Sequence, residues 1–534
     1  VAAGARSPEL PADVHGPGLS WSSGSLRATV TADPAPDTAL ASAGLLRWEW
    51  ELAPGATRTV LLTARLEPSR SGREPLRAAQ GPAGLARRSE RPPRPWGAAG
   101  AEGDDGRVRE LFRTSLDDLG GLLLRDAACP PDLHLAAGAP WRCSLAPAET
   151  LRAARMLLPL GTRLAAGTLR TLARTQLTAP GPEQGRIPGP LRNAGPHAPP
   201  RCTGTEATLL FPAVLAEAWR WGLPARELEL LLPAARRCLG WLRAHTKAGG
   251  YLPDPAPEGP FRCETQAHAH RAALLGADLL EAQDADEGEE LREWAAALRE
   301  RFRQDFWHEN RGGGRPLSLL AADGATTPYL GSTAAELLDT GLTVGGLQAE
   351  GLLDKAQTQQ LARLLGGPSL DSGWGLRSLG AKEPRHNPFG HRSGAVRVEE
   401  TVTAVAGLAN AGHENEAGAL LRGVVDAAET FGFRLPEMYA AEQRTEGSVP
   451  LPHPSACRPA AVAAAGTVRL LTTLAGVRPD VPAGTVAVRP LSTAPLGAVR
   501  FTGLRVAGEP FAVRVSRLGL GLVEEVAEGL HLRG

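Results

Sequence analysis

Apolar residues recur at helical spacing over most of this chain, from about residue 106 to residue 476, and this pattern constrains the fold most. Leu291, Trp294, Leu298, Phe302 and Phe306, for example, form one stripe at spacings of three and four. The pattern predicts roughly twelve helices. They lie near 107–120, 148–158, 164–176, 206–221, 226–245, 264–282, 289–306, 333–339, 346–364, 397–411, 414–430 and 456–475.

No fixed-period repeat relates these segments, which disfavours a regular solenoid. Three loops between them are unusually long, at 179–203, 248–262 and 366–393. Loops of that length inside a compact domain tend to be functional. Twelve helices in pairs, with long loops gathered at one end, fit a closed double ring of helices.

Both ends of the chain change to the period of two that is typical of strands. Residues 1–70 contain three candidate strands and predict a partial N-terminal β-sandwich whose beginning is missing. Residues 71–105, rich in Pro, Gly, Ser and Arg, predict a linker before the helical domain at 106–478. Residues 479–534 predict a small C-terminal β cap. The candidate strands are 26–31, 46–52, 59–66, 485–489, 499–502 and 512–516.

The composition excludes several function classes. Lys+Arg 58 balances Asp+Glu 58, so the chain lacks the basic surface that a nucleic-acid-binding protein needs. No apolar run is long enough to span a bilayer, and no membrane partner is expected. Six cysteines without a Cys-x-x-Cys pair indicate a reduced, cytoplasmic protein. No cofactor is expected, and the histidine spacings favour no metal site. The oligomeric state is not predicted.

The stretch 431–459 is the most promising site segment. It is broken by several prolines, so it forms a stiff loop between two helices. Glu437 lies on it among Phe431, Phe433 and Tyr439. A carboxylate held against aromatic rings suits sugar binding or proton transfer. The alternative is a helix-end loop in which Glu437 only pairs with a neighbouring arginine.

Several separate motifs carry a resemblance to a known family. These motifs are Ala-Ala-Gly-Ala-Pro-Trp at 136–141, Ala-Gly-Thr-Leu-Arg-Thr-Leu-Ala-Arg-Thr-Gln at 166–176, Thr-Gln-Ala-His-Ala-His-Arg at 265–271, Ser-Gly-Trp-Gly-Leu-Arg-Ser-Leu at 372–379, Arg-Leu-Pro-Glu-Met-Tyr at 434–439 and Pro-Ser-Ala-Cys-Arg-Pro at 454–459. With these motifs in this order, the chain resembles bacterial glycogen-debranching, amylo-α-1,6-glucosidase-like glycoside hydrolases. The resemblance implies a mainly α fold, an (α/α)6 helical barrel of the six-hairpin glycosidase type with an N-terminal β-sandwich.

The resemblance also implies roles for individual residues. Glu437 matches the general base that activates water in an inverting mechanism. Trp141 and Trp374 match aromatic walls that stack on a sugar ring. Arg377, three residues after Trp374, is expected to hold a sugar hydroxyl or orient a carboxylate, and Tyr439 is expected to contribute to substrate binding.

The chain departs from the family at three pocket aspartates. Glu149, Glu206 and Glu400 stand at those positions, each one methylene longer, and we interpret this as a concerted remodelling of the pocket for substrate binding. An arginine that precedes the first of these acids in the family is replaced by Ala148.

The loop at 248–262 is a larger departure, because it lacks the family's aspartate that acts as general acid. Asp254, Glu258 and Glu264 are substitutes on or beside this loop. Glu264 is the preferred acid, since it opens a helix where the family is also acidic, and burial near aromatic rings can raise a carboxyl pKa into the useful range. The alternative is that Glu264 only interacts with the N-terminal dipole of its helix.

Two functions therefore remain open. The first is a glycoside hydrolase acting on α-glucans or α-glucosides by inversion, with Glu437 as base and Glu264 as acid. The second is a catalytically inactive carbohydrate-binding or regulatory homologue on the same scaffold. A helical scaffold without any sugar site is a third and weaker interpretation.

Overall fold

The computed structural model describes residues 12–23, 26–68, 96–126, 129, 131–189, 204–246, 250–256, 259–281, 285–310, 312–440 and 442–533. The described residues divide into two compact units, one within 12–68 and the other within 96–533. The first unit contains a four-stranded antiparallel sheet and a separate hairpin. The sheet strands, in order, are Asp13–His15, Gly18–Ser23, Leu26–Asp33 and Leu61–Pro68, and the hairpin strands are Thr38–Leu40 and Leu45–Arg47.

The strand predicted at 46–52 is shorter in the structure and ends at Arg47. The next residues bond to a neighbouring loop instead of to another strand. The indole of Trp48 donates to the carbonyl of Pro34 at 3.1 Å, and the backbone N–H of Glu49 donates to Asp37 at 2.7 Å. The second of these bonds takes a backbone N–H that would otherwise pair with a neighbouring strand.

The second unit is mainly helical, as the apolar periodicity predicts. Its α-helices are α1 Arg107–Leu122, α2 Pro147–Met156, α3 Arg163–Thr175, α4 Thr205–Arg220, α5 Ala225–His245, α6 Cys263–Glu281, α7 Ala285–Asp305, α8 Lys355–Leu365, α9 Val398–Asn410, α10 Glu414–Thr430 and α11 Ala461–Thr472. A 3₁₀ helix, Ser332–Leu337, occupies the place of the short helix predicted at 333–339. None of the helices in the described residues is long and apolar enough to cross a membrane.

Two predicted helices begin later than expected. The helix predicted from residue 346 begins at Lys355, because Asp354 caps it in a capping box with Gln357. Gly345 and Gly346 before it take positive φ angles of 74° and 69°, a conformation that suits glycine in a turn and not in a helix. The helix predicted from residue 456 begins at Ala461, because Pro459 interrupts the segment before it.

Six helical segments contact one another in a closed order, and we call them the inner helices. They are α2, α4, α6, the 3₁₀ helix, α9 and α11, and α11 contacts α2 again. Helices α4, α9 and α11 are buried around almost their whole circumference. Helices without a polar face are stable only when they are enclosed in this way. The other helices pack against the inner ones and expose a charged face.

The strand Gly100–Gly103 pairs with Val499–Val506 and therefore belongs to a C-terminal sheet, although this segment was predicted as linker. Its Gly-Ala-Glu-Gly sequence has low strand propensity, so only the distant pairing defines it. The strands of this sheet, in order, are Gly521–Glu525, Glu509–Val515, Val499–Val506 and Gly100–Gly103. A smaller sheet consists of Val477–Asp480, Thr485–Val488 and His531–Arg533. Phe501 packs on Phe112 of α1, with ring centroids 6.3 Å apart.

Candidate functional site

The inner helices bring acidic first turns to one end of the helical unit, which we call the N-terminal end. Glu149 lies in the first turn of α2, Glu206 in that of α4, and Glu399 and Glu400 in that of α9. In the chain the inner helices alternate with outer ones, so successive inner helices run in the same direction. Their positive dipole ends therefore meet here and favour carboxylates.

Glu437 is fixed at this end by backbone contacts on both sides. Its N–H donates to the carbonyl of Cys457 at 2.9 Å, and its carbonyl accepts from Val398, the first residue of α9. The strand Met438–Ala440 pairs Met438 with Arg397, so Glu437 and Arg397 are neighbours across two strands. Glu437 is 4% exposed. The proline-rich loop thus inserts a buried carboxylate beside the acidic first turns.

Arg142 bridges two of the predicted site acids. Its guanidinium lies 2.6 Å from Glu437 Oε2 and also pairs with Glu149. Gly138 pairs with Arg142 in a tight turn, and a Cβ on Gly138 would lie 2.5 Å from the Cβ of Cys457. Only glycine allows this approach, which places the arginine against Glu437.

Arg152 gathers three further carboxylates. It lies one turn after Glu149 on α2 and pairs with Glu206, with Glu336 at 2.6 Å and with Glu399 at 3.0 Å. Glu336 belongs to the 3₁₀ helix, and both Glu336 and Glu399 are buried. One guanidinium therefore joins α2, α4, α9 and the 3₁₀ helix.

Arg397 links the same acids to Glu437. Its Nε lies 2.9 Å from Glu400 Oε1, and its Nη2 lies 3.7 Å from Glu399 Oε2. Its Nη1 lies 2.8 Å from Nε2 of His391, which in turn lies 3.8 Å from Glu437 Oε1. Arg142, Arg152, Arg397 and His391 thus join six carboxylates, three buried and three half-buried, into one group, which we call the glutamate–arginine network. Its acids are Glu149, Glu206, Glu336, Glu399, Glu400 and Glu437.

The network separates the pKa values of its carboxyl groups. Burial opposes ionisation of Glu437, but the neighbouring His391 and the charges of Arg142 and Arg397 lower its pKa from 4.5 to about 2. The pKa of Glu206 is also lowered to about 2, because Arg152 outweighs burial. Burial raises the pKa of Glu399 to about 7 against the charges of Arg152 and Arg397. Opposite shifts in one site are typical of an acid and base pair.

Glu264 lies in the first turn of α6 and is half-buried. Burial raises its pKa, partly offset by the charge of Arg392, which also lowers the pKa of Glu206. Among the described residues, no arginine, lysine or histidine nitrogen lies within 4.0 Å of its carboxylate. Asp254 accepts from Thr265 at 3.3 Å, and Glu258 lies outside the described residues.

Three of the residues expected to contact a sugar are buried behind the site. The hydroxyl of Tyr439 donates to the carbonyl of Trp374 at 2.6 Å, and Tyr439 has no exposed surface. The Trp374 ring lies under the guanidinium of Arg444 at 4.3 Å. Arg377 donates to the carbonyl of Pro368 at 3.0 Å. Side chains enclosed in this way support the Glu437 loop and do not present a face to a ligand. Trp141, by contrast, is 41% exposed beside Arg142.

Sequence reasoning missed the arginines and two of the acids, Glu336 and Glu399. The replaced family arginine suggested a loss of positive charge, but Arg142, Arg152 and Arg397 supply it from other positions. Arg152 follows Glu149 by three residues, a spacing that places both on one helix face and was a usable signal. Nothing local distinguishes Glu399 from Glu400, because their difference arises from burial.

Glu399 gives the network a testable dependence of stability on pH. Its pKa in the folded protein is raised from 4.5 to about 7, so its stabilising contribution is complete below pH 4.5 and is lost as the pH rises through 7. We expect Glu399→Gln to remove this loss, which is roughly 2–3 kcal/mol between about pH 5 and pH 8. Urea unfolding at several pH values measures it.

The matched control is Glu446→Gln, which makes the same chemical change at an exposed position. It should retain the pH profile of the native chain. A Glu399→Gln profile that also matches the native one contradicts the raised pKa.

Comparison with solved structures identifies the fold of the helical unit. A sialidase matches with a TM-score of 0.57 and 11% identity, over 80% of this chain and 40% of that one. A GH78 family rhamnosidase of Bacillus sp. GL1 matches with a TM-score of 0.52 and 14% identity, over 78% of this chain and 40% of that one. This chain therefore spans about 40% of the length of both proteins. No protein-family model and no curated protein matches the sequence. The chain has a fold found among glycosidases.

Proposed function

We propose that this chain is a glycoside hydrolase that cleaves α-glucosidic bonds with inversion, in a manner similar to glycogen debranching. The closed order of inner helices supports a six-hairpin (α/α)6 barrel within residues 106–478. Residues 1–70 are then a partial β-sandwich domain and 479–534 a C-terminal β cap, to which the strand Gly100–Gly103 also belongs. The substrate is a carbohydrate, an α-glucan or an oligosaccharide.

One observation carries the proposal, namely the convergence of carboxylates from separate segments on a single buried end. Glu149, Glu206, Glu400 and Glu437 come from three helices and a loop, yet all four belong to the glutamate–arginine network. A buried group of acids is costly to maintain, and replacing it with apolar residues often stabilises a protein. Strongly perturbed carboxyl groups of this kind are concentrated at catalytic sites.

The pKa differences assign roles within the site. Glu437, with a pKa of about 2, is ionised at neutral pH and suits a general base that activates water. Arg142 holds its Oε2, and Oε1 lies 3.8 Å from His391, which leaves this second oxygen available to a water molecule. Glu399, with a pKa of about 7, can remain protonated and suits a general acid. Glu264 is the alternative acid.

A pair of variants distinguishes the two acids. A general acid protonates the leaving oxygen, so its loss harms a substrate with a poor leaving group and spares α-glucosyl fluoride. We expect Glu399→Gln to lower turnover of an α-1,6-linked disaccharide by about 10²–10⁴-fold and to retain turnover of the fluoride. Proton NMR of the first product should show the inverted anomer.

Glu264→Gln serves as the comparison and should hydrolyse both substrates at native rates. The reverse pattern assigns the acid to Glu264. Absence of turnover on branched and linear α-glucans, disaccharides and the fluoride contradicts the hydrolase proposal.

The second candidate is a carbohydrate-binding homologue without activity. The position of Arg142 favours this second candidate, because Arg142 pairs with Glu437 and Glu149 at the same time. It therefore competes with a water molecule that Glu437 would activate. The loop at 248–262 also lacks the aspartate that the family uses as general acid, and Asp254 is the acid among its described residues. Calorimetric binding of an α-glucan oligosaccharide without hydrolysis identifies this case.

A further inference from the structure

A polar cavity lies at the opposite, C-terminal end of the inner helices. Its volume is about 60 Å³, and its lining includes the last turns of three inner helices. Arg155 of α2, Asn410 of α9 and Arg469 of α11 contribute to it, together with Arg478 and Arg489 from the hairpin that follows α11. Along α9, Asn410 is 11 residues from Glu399, which corresponds to about 16 Å. The cavity is therefore distinct from the glutamate–arginine network.

Positive charge in this cavity exceeds negative charge. Arg155 is neutralised by Glu217 and Asp339, and Glu217, the only acid in the lining, also accepts from the backbone of Leu342. Among the described residues, no carboxylate lies within 4.0 Å of Arg469 or Arg478. Arg478 donates to the neutral amide of Asn410 at 2.9 Å. Arg469 therefore interacts with Glu217 and Asp339 only at longer range, and these two acids already pair with Arg155. Arg478 has no carboxylate partner within 4.0 Å among the described residues.

The backbone holds the basic side chains around the cavity. Val477–Asp480 pairs with Thr485–Val488, and the N–H of Arg489 donates to the carbonyl of Gly476 at 2.9 Å. A Cβ on Gly476 would lie 1.9 Å from the carbonyl oxygen of Arg489, and the φ angle of Gly476 is 57°. The hairpin is therefore closed tightly behind Arg478. Arg489 is exposed, so solvent reaches the cavity from its side.

The arginines disfavour one another in the absence of an anion. Burial and the charge of Arg155 lower the pKa of Arg469, and the charges of Glu217 and Asp339 offset only part of this effect. Burial and the charges of Arg489 and Arg469 lower the pKa of Arg478. An anion bound between these groups would relieve this repulsion. The alternative role of the arginines is to neutralise the negative ends of the inner helices.

We propose that this cavity binds a phosphate group, either free phosphate or the phosphate of a phosphorylated sugar. A cavity of 60 Å³ holds about four water molecules, which is close to the five heavy atoms of a phosphate. Guanidinium groups match the geometry of phosphate oxygens and are the usual partners in such sites. This site is independent of the hydrolase proposal, since it uses none of the same residues.

Calorimetry with the full chain tests the site. Sodium phosphate, glucose 6-phosphate and glucose are titrated separately at constant ionic strength adjusted with sodium chloride. We expect binding of phosphate, glucose 6-phosphate or both, and no binding of glucose at this site. Binding of glucose 6-phosphate alone identifies the phosphorylated sugar as the ligand. If neither phosphate nor glucose 6-phosphate binds at about 10 mM, the proposal is wrong.

Variants establish where the anion binds. Arg478→Gln should weaken binding by about 10-fold or more, since it removes a charged hydrogen-bond donor. It should not lower thermal stability, because it relieves repulsion between arginines. Arg226→Gln, at an exposed position on α5, should bind like the native chain. If Arg478→Gln binds phosphate as tightly as the native chain, the proposal is wrong. If the native chain does not bind phosphate and Arg478→Gln is less stable, the arginines serve to neutralise the helix ends instead.

Discussion

Glu437→Gln is expected to lower hydrolysis of α-glucosides by about 10³-fold, the contribution typical of a general base. The substitution preserves the size of the side chain, and its amide oxygen can still lie against the guanidinium of Arg142. It removes the ability to take a proton from water. Because the pKa of Glu437 is about 2, the native group is ionised throughout the neutral range, so the loss should not depend on pH above about 4.

Release of reducing sugar measures this loss, and circular dichroism establishes that the variant is folded. Glu446→Gln lies on the same loop, is exposed and should retain native activity. Glu437→Gln should also lose turnover of α-glucosyl fluoride, because the base is needed whatever the leaving group. Retention of more than a tenth of native activity by Glu437→Gln excludes it as the base.

Arg152→Met is expected to lower the free energy of unfolding at pH 7 by about 3–5 kcal/mol, the usual cost of removing one partner of a buried ion pair. Methionine fills much of the same space, so the effect reports on charge. The variant leaves Glu206, Glu336 and Glu399 close together without the cation they share. Their pKa values should then rise, and the loss of stability should be smaller at pH 5 than at pH 7.

Urea unfolding followed by circular dichroism at both pH values measures the change. Arg243→Met is the matched control, because Arg243 pairs with Glu290 at the exposed surface. Exposed pairs contribute about 0–1 kcal/mol, so the control should lose little stability. Equal losses in the two variants, or a loss at pH 5 as large as at pH 7, contradict the role of Arg152 at the centre of the network.

Local patterns were sufficient for most of the helices and for part of the site. The apolar stripe through Leu298 and Phe302 lies within α7, and both residues are fully buried. The acids of the first turns followed from comparison with the family, and Glu149, Glu206 and Glu400 do converge with Glu437. The strand Gly100–Gly103 was wrongly predicted as linker, because it depends on pairing with a distant segment.

The sequence by itself determined where helices form, because a period of 3.6 residues is a local property that burial of one face makes stable. It also determined which loop carries the buried glutamate. Only the tertiary structure decided the partners of that glutamate, since Arg142, for example, lies far from Glu437 along the chain. It likewise decided that the pKa of Glu399 is raised to about 7 and that of Glu437 is lowered to about 2. A carboxyl pKa depends on burial and on charges that folding brings near.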